Sequence, residues 1–195
     1  MTKHSDSEDS DSEVEEEVSV YGTNIYFYTD VTNESISNLI LNIKKLEHKL
    51  RKKAITLEGY KPKIKLFIRS NGGDVYAGFS GMDHIKGCKI PIITVADGFV
   101  ASAATFLLLA GKQRIATPSS HILIHQISTN GFWGKYEDLK DEMDSCNKLM
   151  ETLNTIYSQN TEISEKKLKK LMKRDILLTA EQCLRYKVVD KISYL

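Results

Sequence analysis

KIKLFIRSNGGDVYAGF, residues 63–79, is the stretch from which the fold is read. Ile64, Leu66 and Ile68 alternate with polar positions, Phe67 apart, which is the two-residue period of a strand with one face on a core. Ser70-Asn71-Gly72-Gly73 then stops the run, because glycines reach backbone conformations closed to other residues and interrupt regular pairing. Residues 75–86 resume with helical character. A strand, a Gly-Gly turn and a helix in succession form one step of an alternating α/β domain.

The same alternation extends in both directions. VYGTNIYFYT (20–29) is rich in β-formers and predicts a strand, with order beginning near Val18. From Asn33 onward, Ile36, Leu39, Ile40, Ile43, Leu46 and Leu50 recur at helical spacing. Downstream, Ile92–Ala96 reads as a buried strand and Ser102–Ala110 as an almost wholly apolar helix. Strand-like runs follow around 113–116 and 121–127, split by a turn at Pro118-Ser119-Ser120. A long amphipathic stretch, about 135–158, places Leu139, Met143, Cys146, Leu149, Leu153 and Ile156 on one face. A shorter helix is expected near 164–172. Thr179-Ala180-Glu181-Gln182 has capping-box form and opens a last helix, and VVDKI (188–192) closes the chain as a strand.

Composition narrows the class. With 195 residues, 41% hydrophobic and 27% charged, the chain suits one globular domain at 18–195. No apolar run approaches the length of a membrane span, so no membrane partner is expected. Cys88, Cys146 and Cys183 lie far apart and are odd in number, which argues against a metal site or a disulfide framework and for a reducing, cytoplasmic setting. The net charge of +1 hides an asymmetry. Residues 1–17 hold eight acids and one lysine with almost no apolar side chains, and read as a disordered acidic tail. The basic runs at 44–53 and 166–174 lack aromatic interleaving, so they read as solvated helix faces, and no nucleic-acid partner is expected.

Four segments carry residues capable of chemistry. Gly72-Gly73 at the end of an apolar strand can expose backbone N–H groups to a developing oxyanion, or form a plain turn. Ser102, among small residues at the start of an apolar helix, is a candidate nucleophile or an ordinary N-cap. His125, in the apolar run Ile122-Leu123-Ile124-His125, is a candidate general base or a hydrogen-bonded strand residue. Asp175, after Lys173-Arg174, could orient an imidazole or pair with a neighbouring cation. Each signal is weak alone. Their order, Gly-Gly then Ser, His and Asp, matches none of the chymotrypsin, subtilisin or α/β-hydrolase triads.

On those residues the chain resembles the ClpP family, from about Tyr21 to Ile192. SNGGDVYAGF is similar to the family's Gly-Gly segment, GFVASAATFLLLAG to its nucleophile helix, TPSSHILIHQ to its histidine strand, and KRDILLTAEQCLRYKVVDKI to its aspartate segment. The resemblance implies an α/β, crotonase-like fold of repeated β-β-α units with a protruding handle helix, for which 135–158 is the match. It implies a serine endopeptidase with Ser102 as nucleophile, His125 as base, Asp175 as orienting acid, and the N–H groups of Gly73 and Ala103 as oxyanion hole. It implies no metal and no cofactor. The expected partners are copies of the same chain in seven-membered rings stacked in pairs, an AAA+ unfoldase ATPase, and unfolded polypeptide substrates. The segment around 125–134 is expected to pair with substrate in extended form.

The chain also departs from the family pattern. Ala103 stands where Met is usual, and Lys173 replaces an acid that helps to pair rings. Asp74 adds a charge near the oxyanion hole, and the acidic N-terminus is unlike the usual short axial loop. The alternatives are a catalytically silent ring subunit, which the intact triad disfavours, and a crotonase-type acyl-CoA enzyme, which normally has acids at the catalytic positions.

Overall fold

The computed structural model describes residues 18–129 and 131–194, and the acidic tail expected at 1–17 lies outside them. The stretch expected as a single strand from Val18 is a hairpin. β1 (Val18–Tyr21) and β2 (Asn24–Phe27) pair antiparallel about Gly22, whose φ of 63° is left-handed backbone open to glycine. β-formers on both sides of the turn mask it in the composition. Thr32 then accepts the Ser35 N–H at 3.0 Å and starts α1 (Asn33–Thr56), which buries Ile36, Leu39, Ile43, Leu46 and Leu50 as its spacing predicts.

β3 (Ile64–Ser70), α2 (Val75–Gly87), β4 (Ile92–Ala101) and α3 (Ala104–Leu109) carry the alternation forward. They are followed by β5 (Gln113–Ala116), β6 (His121–Leu123), α4 (Tyr136–Asn160) and α5 (Glu165–Met172). β7 (Leu177–Thr179), α6 (Ala180–Arg185) and β8 (Lys191–Ile192) complete the chain. Thr179 and Gln182 form the expected capping box of α6. The closing strand is shorter than expected, because the Val188 and Val189 N–H groups turn back to the Cys183 carbonyl.

The sheet runs β1-β2-β3-β4-β5-β8, with β6 on β4 and β7 on β6. β2, β3, β4 and β5 are parallel, and α1, α2 and α3 pack together against the sheet. β4 runs to Ala101, well past the expected end at Ala96, and serves two neighbours. Ile93–Ala96 pair with β5, and Phe99–Ala101 pair with β6. Between them the register against β3 shifts, with Gly98 at φ 88°. Such a bulge bends one strand and re-aims the residues beyond it. Buried Ser120 holds the bend, accepting the Gly98 N–H at 3.1 Å and donating to the Ala96 carbonyl at 2.8 Å.

Arg114 donates to Asp190 at 2.9 Å and to the Asn160 carbonyl at 2.6 Å, tying β5 to the segment before β8 and to the end of α4. Burial pushes the Asp190 carboxyl up, but the hydrogen bonds and charge of Arg114 outweigh it and hold the group below the usual carboxylate range. Most of α4 is left uncovered. It buries only Leu153 and Tyr157, while Leu139 and Met143, on the same apolar face, are 37% and 51% exposed.

Candidate active site

The strand β3 ends in a Gly-Gly turn that has no room for side chains. The Val31 N–H donates to the Gly72 carbonyl at 2.7 Å, and the Asp74 N–H donates to the Val31 carbonyl at 2.8 Å, so Gly73 is bridged to Val31. A Cβ on Gly73 would lie 2.3 Å from the Val31 carbonyl oxygen, and one on Gly72 would lie 2.5 Å from the Ser102 Cβ. The two loops therefore meet backbone to backbone. Among the described residues, neither the Gly73 nor the Ala103 N–H donates to a protein acceptor. Asp74, the added charge, is the N-cap of α2, its Oδ1 accepting the Ala77 N–H at 2.7 Å. Helix N-termini favour an anion there.

Ser102 sits at the strand-to-helix turn between β4 and α3, with φ at 54°. It is not the N-cap that a helix beginning at this residue would make it: α3 starts at Ala104, and Ala103 occupies the cap. Left-handed backbone costs a residue with a Cβ about 1–3 kcal/mol and persists only where the surroundings enforce it. Here the Ser102 N–H is held by the Leu123 carbonyl at 2.9 Å, a continuation of the β4–β6 pairing.

His125 and Asp175 meet through the opposite edge of β6. β6 and β7 pair antiparallel, with His121 on Thr179, Ile122 on Leu178 and Leu123 on Leu177. Carried two residues further, that register sets His125 across from Asp175. The His125 Nδ1 lies 3.6 Å from the Asp175 Oδ1, which leaves Nε2 for another partner. His125 lies beyond the strand rather than in it, and its backbone is anchored by the next N–H, that of Gln126, on the Met172 carbonyl at 3.0 Å. Asp175 sits at the centre of a three-residue turn closed by the Ile176 N–H on the Arg174 carbonyl at 2.8 Å. Its side chain is 78% exposed, whereas that of His125 is 24% exposed.

Gly73, Ser102 and His125 line one small cavity of about 50 Å³. Ser102 and His125 share it without a direct hydrogen bond, a spacing common in unliganded catalytic sites. Phe106, Leu153 and Tyr157 form its inner wall, and none of them is a candidate on sequence grounds. Tyr157 falls four residues after Leu153 on the apolar face of α4, where helical periodicity alone suggests a core residue. Val31, which holds Gly73, carries no sequence signal of that role.

The chain is similar in sequence to known proteins. A family model described as Clp protease matches residues 19–194. The chain belongs to the Clp protease family. Its α/β architecture, with the long α4, is consistent with the ClpP-type fold that the resemblance implies. The ATP-dependent Clp protease proteolytic subunit of Deinococcus radiodurans is 37% identical over 131 residues, covering 66% of this chain and 64% of that protein. The ATP-dependent Clp protease proteolytic subunit 2 of Treponema denticola is 34% identical over 155 residues, covering 77% of this chain and 76% of that protein. The matched stretch thus spans just under two thirds of the first relative. Membership in a family of proteases agrees with the peptidase expectation and sets the acyl-CoA alternative aside.

Proposed function

We propose that this Clp protease family member is a serine endopeptidase and a Clp proteolytic subunit, with Ser102 as nucleophile, His125 as general base and Asp175 as its orienting acid. The observation that carries the reading is the convergence of Gly73, Ser102 and His125 on one cavity, with Asp175 behind the imidazole. In this mechanism the Ser102 Oγ attacks the scissile carbonyl while His125 Nε2 takes its proton. Asp175 stabilises the imidazolium, and the N–H groups of Gly73 and Ala103 receive the oxyanion. The imidazolium then protonates the leaving amine, and water releases the acyl group by the same steps in reverse order. The stretch 127–129, half-buried at Ile127 and exposed at Ser128 and Thr129, donates no backbone hydrogen bond within the described residues, which suits an extended peptide laid along it as an added strand. A fluorophosphonate probe tests the nucleophile: mass-mapped labelling on Ser102 supports the reading, and an unlabelled chain identifies a silent ring subunit.

The assembly part of the proposal rests on α4. Its uncovered apolar residues suit a second copy, in seven-membered rings stacked in pairs and served by an AAA+ unfoldase. Cys88, Cys146 and Cys183 are free thiols, consistent with a cytoplasmic setting, and among the described residues no helix is long and apolar enough to cross a membrane.

Two expected results arise directly. Gly73→Ala adds a Cβ at φ 142° against the Val31 carbonyl, so the bridge must open and the N–H must shift. Loss of one oxyanion donor lowers kcat by about 10²–10³-fold. Steady-state peptide hydrolysis checks this, and a rate within threefold of wild type removes Gly73 from the oxyanion hole. His125 acts as a base only when neutral, so kcat/KM rises with pH as the imidazole loses its proton. His125→Gln removes that limb together with nearly all activity. The same limb in the variant's residual rate would assign the base elsewhere.

A further inference from the structure

We propose that Thr105 and Tyr157 are positioning residues for Ser102, forming a hydroxyl relay that holds the nucleophile's peptide in its left-handed turn. This rests on Ser102 being the nucleophile. The Thr105 hydroxyl donates to the Ser102 carbonyl at 2.6 Å, and the Thr105 N–H donates to the same oxygen at 2.9 Å. The Thr105 hydroxyl proton is committed to that carbonyl, so the 2.6 Å contact between the Tyr157 and Thr105 hydroxyls has tyrosine as donor. Thr105 and Tyr157 are 0% and 1% exposed, so no water competes for either group. Burial pushes the Tyr157 hydroxyl up and keeps it protonated. Each bond in such a chain polarises the next. The relay ends on the peptide that joins Ser102 to Ala103. Rotation of that peptide would move the nucleophile and the Ala103 N–H together.

A purely structural pair would satisfy its own hydrogen bonds and leave the reaction untouched. The double variant Thr105→Val, Tyr157→Phe separates the two roles, because replacing both buried partners by apolar groups of similar shape leaves little unsatisfied. The full-length protein is assayed for peptide hydrolysis, for its rate of fluorophosphonate labelling at Ser102, and for thermal midpoint. The expected result is a loss of about tenfold in both kcat and labelling rate, of the size of one lost hydrogen bond, with KM and midpoint close to wild type. Thr105→Ser keeps the hydroxyl and retains most of the activity. A double variant that is labelled and turns over at the wild-type rate overturns the relay, as does Thr105→Ser failing as badly as the double variant. A wild-type chain that turns over peptide yet is never labelled at Ser102 overturns the nucleophile reading, and the relay with it.

Discussion

Ser102→Ala is expected to lower kcat/KM for peptide hydrolysis by on the order of 10⁵–10⁶-fold, leaving only what the oxyanion hole and substrate binding supply. Folding and assembly should persist, because alanine meets the same left-handed penalty at φ 54° as serine and keeps the Cβ that packs beside Gly72. Ser102→Gly sharpens the test. Removing the Cβ relieves a conformational cost of about 1–2 kcal/mol, which raises Tm by roughly 2–8 °C for a domain of this size, while activity is lost as in the alanine variant. Stability gained with function lost is the mark of strain kept for chemistry. Thermal melts beside single-turnover hydrolysis check both halves. Near-normal turnover by either variant removes Ser102 from the nucleophile's role.

Leu149→Glu is expected to dissociate the particle and take most peptidase activity with it. Leu149 is half-buried on an apolar stripe that continues through Met143 and Leu139 toward the exposed start of α4. Covering large apolar side chains in a second copy gains about 1.5–3 kcal/mol each before the costs of association, and a carboxylate among them reverses the sign locally. The loss should reach the active site, because Asp175, 78% exposed in the single chain, follows Lys173-Arg174 directly. Lys173, in place of an acid, adds a finer expectation: paired rings should be salt-sensitive, with single rings detectable by sedimentation. A fully active monomer refutes the assembly requirement, and double rings indifferent to salt refute the finer point.

Neighbouring residues explain which parts of the fold are legible in the chain. The strand at 64–68, the buried face of α1 and the capping box at Thr179 each depend on residues within a few positions, and each is found where its pattern places it. A local pattern misleads where it fits two structures. A run of β-formers around Gly22 fits one strand or a hairpin. The apolar stretch after Ser102 suggests a helix starting at that residue, whereas a strand runs up to it and the helix begins two residues later.

The sequence by itself determined the alternating α/β plan, the identity of Gly73, Ser102, His125 and Asp175 as candidates, and the apolar face of α4, because periodicity, turn chemistry and residue type are written locally. Only the tertiary structure decided how those residues meet. β6 lies between β4 and β7; its pairing with one holds the Ser102 turn, and its register with the other sets His125 opposite Asp175. The Thr105–Tyr157 contact likewise joins α3 to α4 across 52 positions. Strand register and helix docking are settled by which distant surfaces bury one another, and no local pattern records that choice.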